Sequence, residues 1–181
     1  KKIEDATRAN RKIGLGVMGW ADMLIQLAIP YNSVEASKLA NEVMKFVQAE
    51  SKKHSGFLAI ERGVFTNFEE SIYSNENAMR NATTTTIAPT GTLSIIAGCS
   101  SGIEPLFAVS FVRNVLEGTK FYEVNPHFER IARERGFWSK ELIEEIAAKG
   151  SLKDIAGVPD DVKKVFITAH DISPLDHVRM Q

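Results

Sequence analysis

The stretch "ATTTTIAPTGTLSIIAG", residues 82–98, constrains the fold more than any other part of the chain. Thr83 to Ile87 is β-branched at every position and reads as a strand. Pro89 fixes one torsion and Gly91 permits unusual ones, so the strand breaks there. Thr92 to Ala97 follows as a short helix that stops at Gly98. A strand feeding a helix through a tight break points to an α/β architecture with parallel pairing.

The same stretch carries the most suggestive chemistry. The hydroxyls of Thr90, Thr92 and Ser94 gather around a helix start, where unpaired N–H groups and the positive end of the dipole favour an anion, phosphate above all. It is not a Walker A loop, because no lysine follows the glycine. A cradle of neutral donors suits a diphosphate that is held and released. The competing reading is a plain strand-to-helix turn whose threonines serve strand propensity and capping. The residues alone leave both open.

"GLGVMG", from Gly14 to Gly19, fits G-x-G-x-x-G. A dinucleotide loop needs a buried strand leading into the glycines and an acidic residue about 20 positions on that closes the βαβ unit. The entering segment "KKIEDATRANRK" is polar, and the acidic residue at the right distance, Glu35, follows a turn. The context fails. The glycines read instead as small residues that let a helix start pack close to its neighbours.

Elsewhere the pattern is mostly helical. Residues 16–29 read as a helix ended by Pro30. Ser33 caps a long helix to Arg62, stopped by Gly63, with Leu39, Val43, Val47 and Leu58 on its apolar stripe and His54 partly buried beside it. Leu106 to Val112 reads as another strand. Helices are expected over 126–135, 139–148 and 159–166, separated by Gly136, Gly150 and Gly157. "VFITAHDIS" holds room for a short strand, and Ser173 with Pro174 opens a last helix. Trp20, Trp138 and Phe107 read as core anchors, Glu104 as structural and Cys99 as a small buried thiol. His127, His170 and His177 lack metal-ligand spacing.

Composition narrows the function. A chain of 181 residues is one domain or a large piece of one, and strands too few to close a barrel argue for a piece. A net charge of −1 gives no footprint for nucleic acid. No apolar run approaches the ~20 residues of a membrane span, and no signal-peptide core opens the chain. One cysteine excludes an internal disulfide framework and suits a reducing compartment, so a cytoplasmic location is expected.

At "RNATTTTIAPTGTLSIIAGCSSGIEPLFA" the chain resembles ribonucleotide reductase large chains, most of all the adenosylcobalamin-dependent class II enzymes. "NRKIGLGVMGWADML" and "AHDISPLDHVRMQ" extend the resemblance over nearly the whole chain. The resemblance implies a ten-stranded α/β barrel of two five-stranded halves. Residues 1–181 would be its C-terminal part, an incomplete and helix-rich domain. It implies a thiyl-radical enzyme that converts ribonucleotides to deoxyribonucleotides, with adenosylcobalamin generating the radical. Pro89, Thr90, Gly91, Thr92, Leu93 and Ser94 match the family's substrate-phosphate loop, and the Gly14–Gly19 run begins a helix and binds no dinucleotide. Ribonucleotide substrate, a nucleotide effector and a homodimer are the implied partners.

The departures from the family pattern are specific. The radical cysteine of the family sits in Asn-x-Cys-x-Glu, whereas Cys99 has Ala97 two positions before it and Ser101 two positions after, so it is not that residue and the chain offers no catalytic residue. No Asp-x-His-x-x-Gly cobalamin motif appears, which this class does not require, and the reducing cysteine pair is absent. The isolated chain is therefore expected to be inactive. The alternatives are a non-catalytic phosphate- or nucleotide-binding module, and a nicotinamide dehydrogenase that would need a strand before Gly14.

Overall fold

A computed structural model describes residues 1–114 and 120–181. In chain order its elements are α1 (Lys2–Asn10), α2 (Trp20–Gln26), α3 (Val34–Arg62), α4 (Gly91–Ala97), β1 (Ser110–Asn114), β2 (Lys120–Val124), α5 (Pro126–Glu134), α6 (Lys140–Lys149), α7 (Asp160–Val165) and α8 (Pro174–Met180). They fall into two compact units, one of residues 1–17 and 39–89, the other of 18–38 and 90–181.

In the first unit, α1 lies where the sequence offers no apolar stripe, and none of its residues is buried. Its charges follow the dipole, with Glu4 and Asp5 in the first turn and Arg8 in the last, and Arg8 pairs Glu4 at 2.8 Å. Its C-terminal carbonyls are met from a distance. Asn67 N–H donates to Ala9 O and Ala82 N–H to Asn10 O, each at 3.0 Å, and Asn81 Nδ2 donates to Arg11 O at 2.9 Å.

Beyond α1 the chain runs extended alongside residues 83–86. Ile13 N–H donates to Thr83 O at 3.1 Å, Leu15 N–H to Thr84 O at 2.9 Å, and Thr86 N–H to Leu15 O at 3.1 Å. The expected strand over Thr83–Ile87 contracts to one parallel bridge, Leu15 with Thr85. Its partner is interrupted by Gly14 and Gly16, and glycine weakens a strand interior. The glycines have a packing reason. A Cβ at Gly14 would clash with the Thr86 side chain, and one at Gly16 would lie 2.7 Å from Thr86 O.

The portion of α3 in this unit is amphipathic as expected, although its stripe is only half-buried and His54 is exposed, edge-on to Phe57 at 5.8 Å. The helix stops at Gly63, whose φ is +78°. Arg80 holds that stop, donating from Nη1 to Arg62 O at 2.8 Å and to Gly63 O at 3.0 Å. Phe65, Phe68 and Met79 are buried near it, the two rings edge-to-face at 5.5 Å. Ser55 joins this core only because its hydroxyl is satisfied, by Asn81 Oδ1 and by Asn81 N–H, both at 3.0 Å.

In the second unit, helix punctuation follows the sequence. Asn125 caps α5 by accepting from the N–H groups of His127 and Phe128, with Pro126 in the first turn. Ser139 caps α6 through Leu142 N–H, Gly150 ends it at φ +74°, and Ser173 with Asp176 forms a capping box on α8. The helices bury one core: Phe128, Ala132, Ile146 and Ile155 are fully enclosed, with Phe166, Val162, Leu152, Val109, Ala21 and Ile25 around them. Phe128 meets Phe166 edge-to-face at 5.4 Å.

The expected strand over Leu106–Val112 divides in two. Leu106 forms a parallel bridge to Thr168, and this single bridge is all that forms of the short strand expected in "VFITAHDIS". The ladder proper begins at Ser110 and pairs antiparallel with β2, in register Ser110 with Val124 and Val112 with Tyr122. Parallel pairing therefore survives as two bridges, and the one ladder among the described residues is antiparallel.

Candidate functional site

The loop from Pro89 to Ser94 opens on a helix start with unusual exposure. Pro89, Gly91, Thr92 and Leu93 are exposed, Thr90 is half-buried, and Ser94 alone in α4 is buried. Thr90 occupies the cap position without capping. Its backbone O accepts from Ser94 N–H at 2.7 Å, while its hydroxyl pairs with Ser101 Oγ at 3.2 Å. A helix start leaves its first N–H groups without partners inside the helix. Ser94 Oγ donates to Gly91 O at 2.8 Å, so its proton is committed within the loop and only its lone pairs remain. Thr92 is exposed, at the second position of α4.

Gly91 permits unusual torsions but does not take a positive φ. Apart from its chain neighbours and the backbone of its own helix, nothing lies within 4 Å of where its Cβ would stand. The chain's own packing does not require glycine there, in contrast to Gly14 and Gly16.

Sequence reasoning missed the support beneath the loop. The turn 98–102 packs on the start of α2. Gly19, at φ +76°, donates its N–H to Ser100 O at 2.8 Å. Asp22 Oδ2 accepts from Ser100 N–H at 2.6 Å, and Ser100 Oγ accepts from Asp22 N–H at 3.3 Å. Tyr31, almost fully buried, donates its hydroxyl to Ile103 O at 2.7 Å. Burial, and then the charge of Glu104, push the Tyr31 phenol up to about 12. The available signal was the polar Asp22 beside the apolar Trp20, Ala21 and Leu24, since a half-buried carboxylate needs a donor.

Other residues depart from their expected places. Cys99 is half-buried, with its Cβ 3.5 Å from where a Cβ of Gly19 would stand. Trp20 is buried as expected, Trp138 is half-buried under Arg133, and Phe107 is 75% exposed against His170, so it anchors no core here. Glu104 is exposed, its N–H donating to Ser101 O at 3.0 Å, in keeping with a structural turn. Among the described residues no cluster of His, Cys, Asp or Glu could hold a metal ion, and no helix is long and apolar enough to cross a membrane.

Fold and loop together define the class: a helix-rich α/β chain with parallel bridges and an exposed loop leading into a short helix. A family model described as "Ribonucleotide reductase, barrel domain" matches residues 1–78 and 74–181. A vitamin B12-dependent ribonucleoside-diphosphate reductase of Thermoplasma acidophilum is 56% identical over 100% of this chain and 24% of its own length. A protein of the same name from Mycobacterium tuberculosis is 47% identical over 99% of this chain and 26% of its own length. The solved Actinobacillus ureae class Id ribonucleotide reductase alpha subunit superposes with a TM-score of 0.79 at 30% identity, covering 98% of this chain and 31% of that one. The chain belongs to the ribonucleotide reductase family and lies in its barrel domain. It spans about a quarter of the length of the curated relatives it matches.

Proposed function

We propose that this chain is the substrate-phosphate part of a larger reductase that converts ribonucleotides to deoxyribonucleotides. Pro89, Thr90, Gly91, Thr92, Leu93 and Ser94 form the loop that receives the phosphates. The observation that carries this reading is Gly91: it has an ordinary φ, and open space surrounds the position of its absent Cβ. A glycine that the chain's own packing does not need fits a backbone that an outside group approaches closely. Thr92 and the first helical turn follow Gly91 directly in the chain, and the unpaired N–H groups of a helix start favour an anion.

The names of the two B12-dependent relatives support a ribonucleoside diphosphate as substrate and adenosylcobalamin as the parent's radical source. Nothing in the placement of the described histidines and cysteine of this chain points to a hold on that cofactor. His177 Nε2 lies 3.3 Å from Ala169 O, His170 stacks edge-on to Phe107, and the sole cysteine lies in the turn behind the loop. A nucleotide effector, a homodimer and a cytoplasmic location complete the proposal for the parent, on the family resemblance.

Calorimetry on the parent tests the loop. Thr92→Val and Gly91→Val should weaken nucleoside diphosphate binding, the first by about 1.5–3 kcal/mol, the range for a bond to a charged group. Ser94→Ala should cost less, about 0.5–1.5 kcal/mol, because its proton already serves Gly91 O. The unphosphorylated nucleoside should be indifferent to all three. Equal loss for nucleoside and nucleotide would mean that the loop shapes the pocket without holding phosphate. The isolated chain, given ribonucleotides, adenosylcobalamin and dithiol, should form no deoxynucleotide above background.

A further inference from the structure

The helix α4 is poorly anchored by packing. Its one buried residue is Ser94, while Leu93, Ile95 and Ile96 are 58%, 77% and 77% exposed. A seven-residue helix is too short to hold itself in water. Its place depends on what grips its ends.

One turn grips both. At the start, Ser101 Oγ pairs with Thr90 Oγ1 at 3.2 Å. At the end, Cys99 N–H donates to Ser94 O at 3.1 Å, and Gly98, at φ +65°, closes the helix onto Ile95 O. The turn is itself fastened to the start of α2 at Ser100, the residue between these two attachments. Ser100 N–H donates to Asp22 Oδ2 at 2.6 Å, Asp22 N–H donates back to Ser100 Oγ at 3.3 Å, and Gly19 N–H donates to Ser100 O at 2.8 Å. Asp22 supplies the one side-chain carboxylate in this chain of bonds, and a charge-assisted bond to a backbone N–H is the stronger kind.

We propose that Asp22 is a positioning residue for substrate binding: through Ser100 it fixes the turn that sets Thr90 and the start of α4 where nucleotide phosphates meet them. The inference rests on the phosphate-loop reading above. Asp22 touches no phosphate. It holds the turn, and the turn holds the loop. A displacement on the order of 1 Å at a substrate-holding group is enough to lose much of its effect.

The test is steady-state kinetics and nucleotide binding on the full-length parent, with thermal unfolding as a control. Asp22→Ala should raise KM for the nucleoside diphosphate about tenfold, as expected for one misplaced charge-assisted contact, with kcat within about twofold. Asp22→Asn keeps an acceptor oxygen and should restore KM to within about twofold of the parent. Ser101→Ala, which cuts only the link to Thr90, should raise KM in the same direction without lowering the unfolding temperature. If Asp22→Ala folds and leaves KM unchanged, or if Asn fails to rescue it, the positioning role is overturned. Should Asp22→Ala fail to fold, Ser101→Ala decides alone: an unchanged KM there overturns the proposal. Thr92→Val separates this failure from the other. If it weakens nucleotide binding while Asp22→Ala and Ser101→Ala do not, the loop holds phosphate and only the positioning role is lost. If Thr92→Val has no effect, the phosphate reading itself fails.

Discussion

Gly16 lies directly against the backbone carbonyl of Thr86, so close that a Cβ at Gly16 would stand 2.7 Å from that oxygen. Gly14 meets the same residue differently, through the Thr86 side chain. Gly16→Ala should therefore destabilise by about 1–3 kcal/mol, the usual range for overpacking. Gly14→Ala should be relieved in part by Thr86→Ser, which removes the nearest methyl, while Gly16→Ala should not. A double-mutant cycle by urea unfolding reads the contrast. Equal relief of both variants would contradict the packing.

The core of the second unit should be sensitive at two levels. Asn125→Ala removes an acceptor shared by His127 N–H and Phe128 N–H and should cost about 1 kcal/mol. Phe128→Ala empties a fully enclosed site and should cost about 3–5 kcal/mol. Chemical denaturation should keep that order. A cap loss as large as the cavity would mean that α5 is held by its start more than by its packing.

Tyr31 predicts an alkaline limit. Burial and then Glu104 raise its phenol in the folded state to about 12, whereas the unfolded chain titrates near ~10. A raised folded value gives stability that is complete below the unfolded value and is lost as pH rises from there towards 12. Thermal unfolding of the native chain should fall across that window. Tyr31→Phe should start lower, having lost the bond to Ile103 O, and fall less steeply. An identical alkaline slope would remove Tyr31 from the account.

Cys99 should be chemically dispensable. Its thiol sits in the turn behind the loop, beside Gly19, and lacks the flanking residues of a radical cysteine. Cys99→Ala in the parent should keep turnover within a few-fold and cost roughly 1 kcal/mol of stability. A folded variant with turnover reduced a thousandfold would show that the thiol takes part in the reaction.

What could be read from the sequence was what the chain decides locally. Ser33, Ser139 and Ser173 cap, Gly63, Gly98 and Gly150 stop, and the helices between them stand where their apolar periodicity places them. The loop at Pro89–Ser94 was visible for the same reason, since turn residues, hydroxyls and a helix start are neighbours in sequence. Strands were misjudged because their partners are remote. Thr83–Ile87 has β propensity, yet its pairing depends on a neighbour some 70 residues earlier, as Ile13 and Thr83 show. The helix α1 carries no apolar stripe and is finished by Asn67, Asn81 and Ala82. Asp22 and Ser100, 78 residues apart, left the support of the loop invisible for the same reason.

Arg80 gives the end of α3 a property that helix ends usually lack. A free C-terminus frays, and its amides exchange with solvent one by one. Here one guanidinium nitrogen ties the carbonyls of Arg62 and Gly63 to residue 80, which is itself joined to α3 by Arg80 N–H donating to Ser55 O at 3.0 Å. The last turns of α3 and the segment around residue 80 thus form one opening unit, and their slow amides should be released to deuterium together, as a single cooperative event.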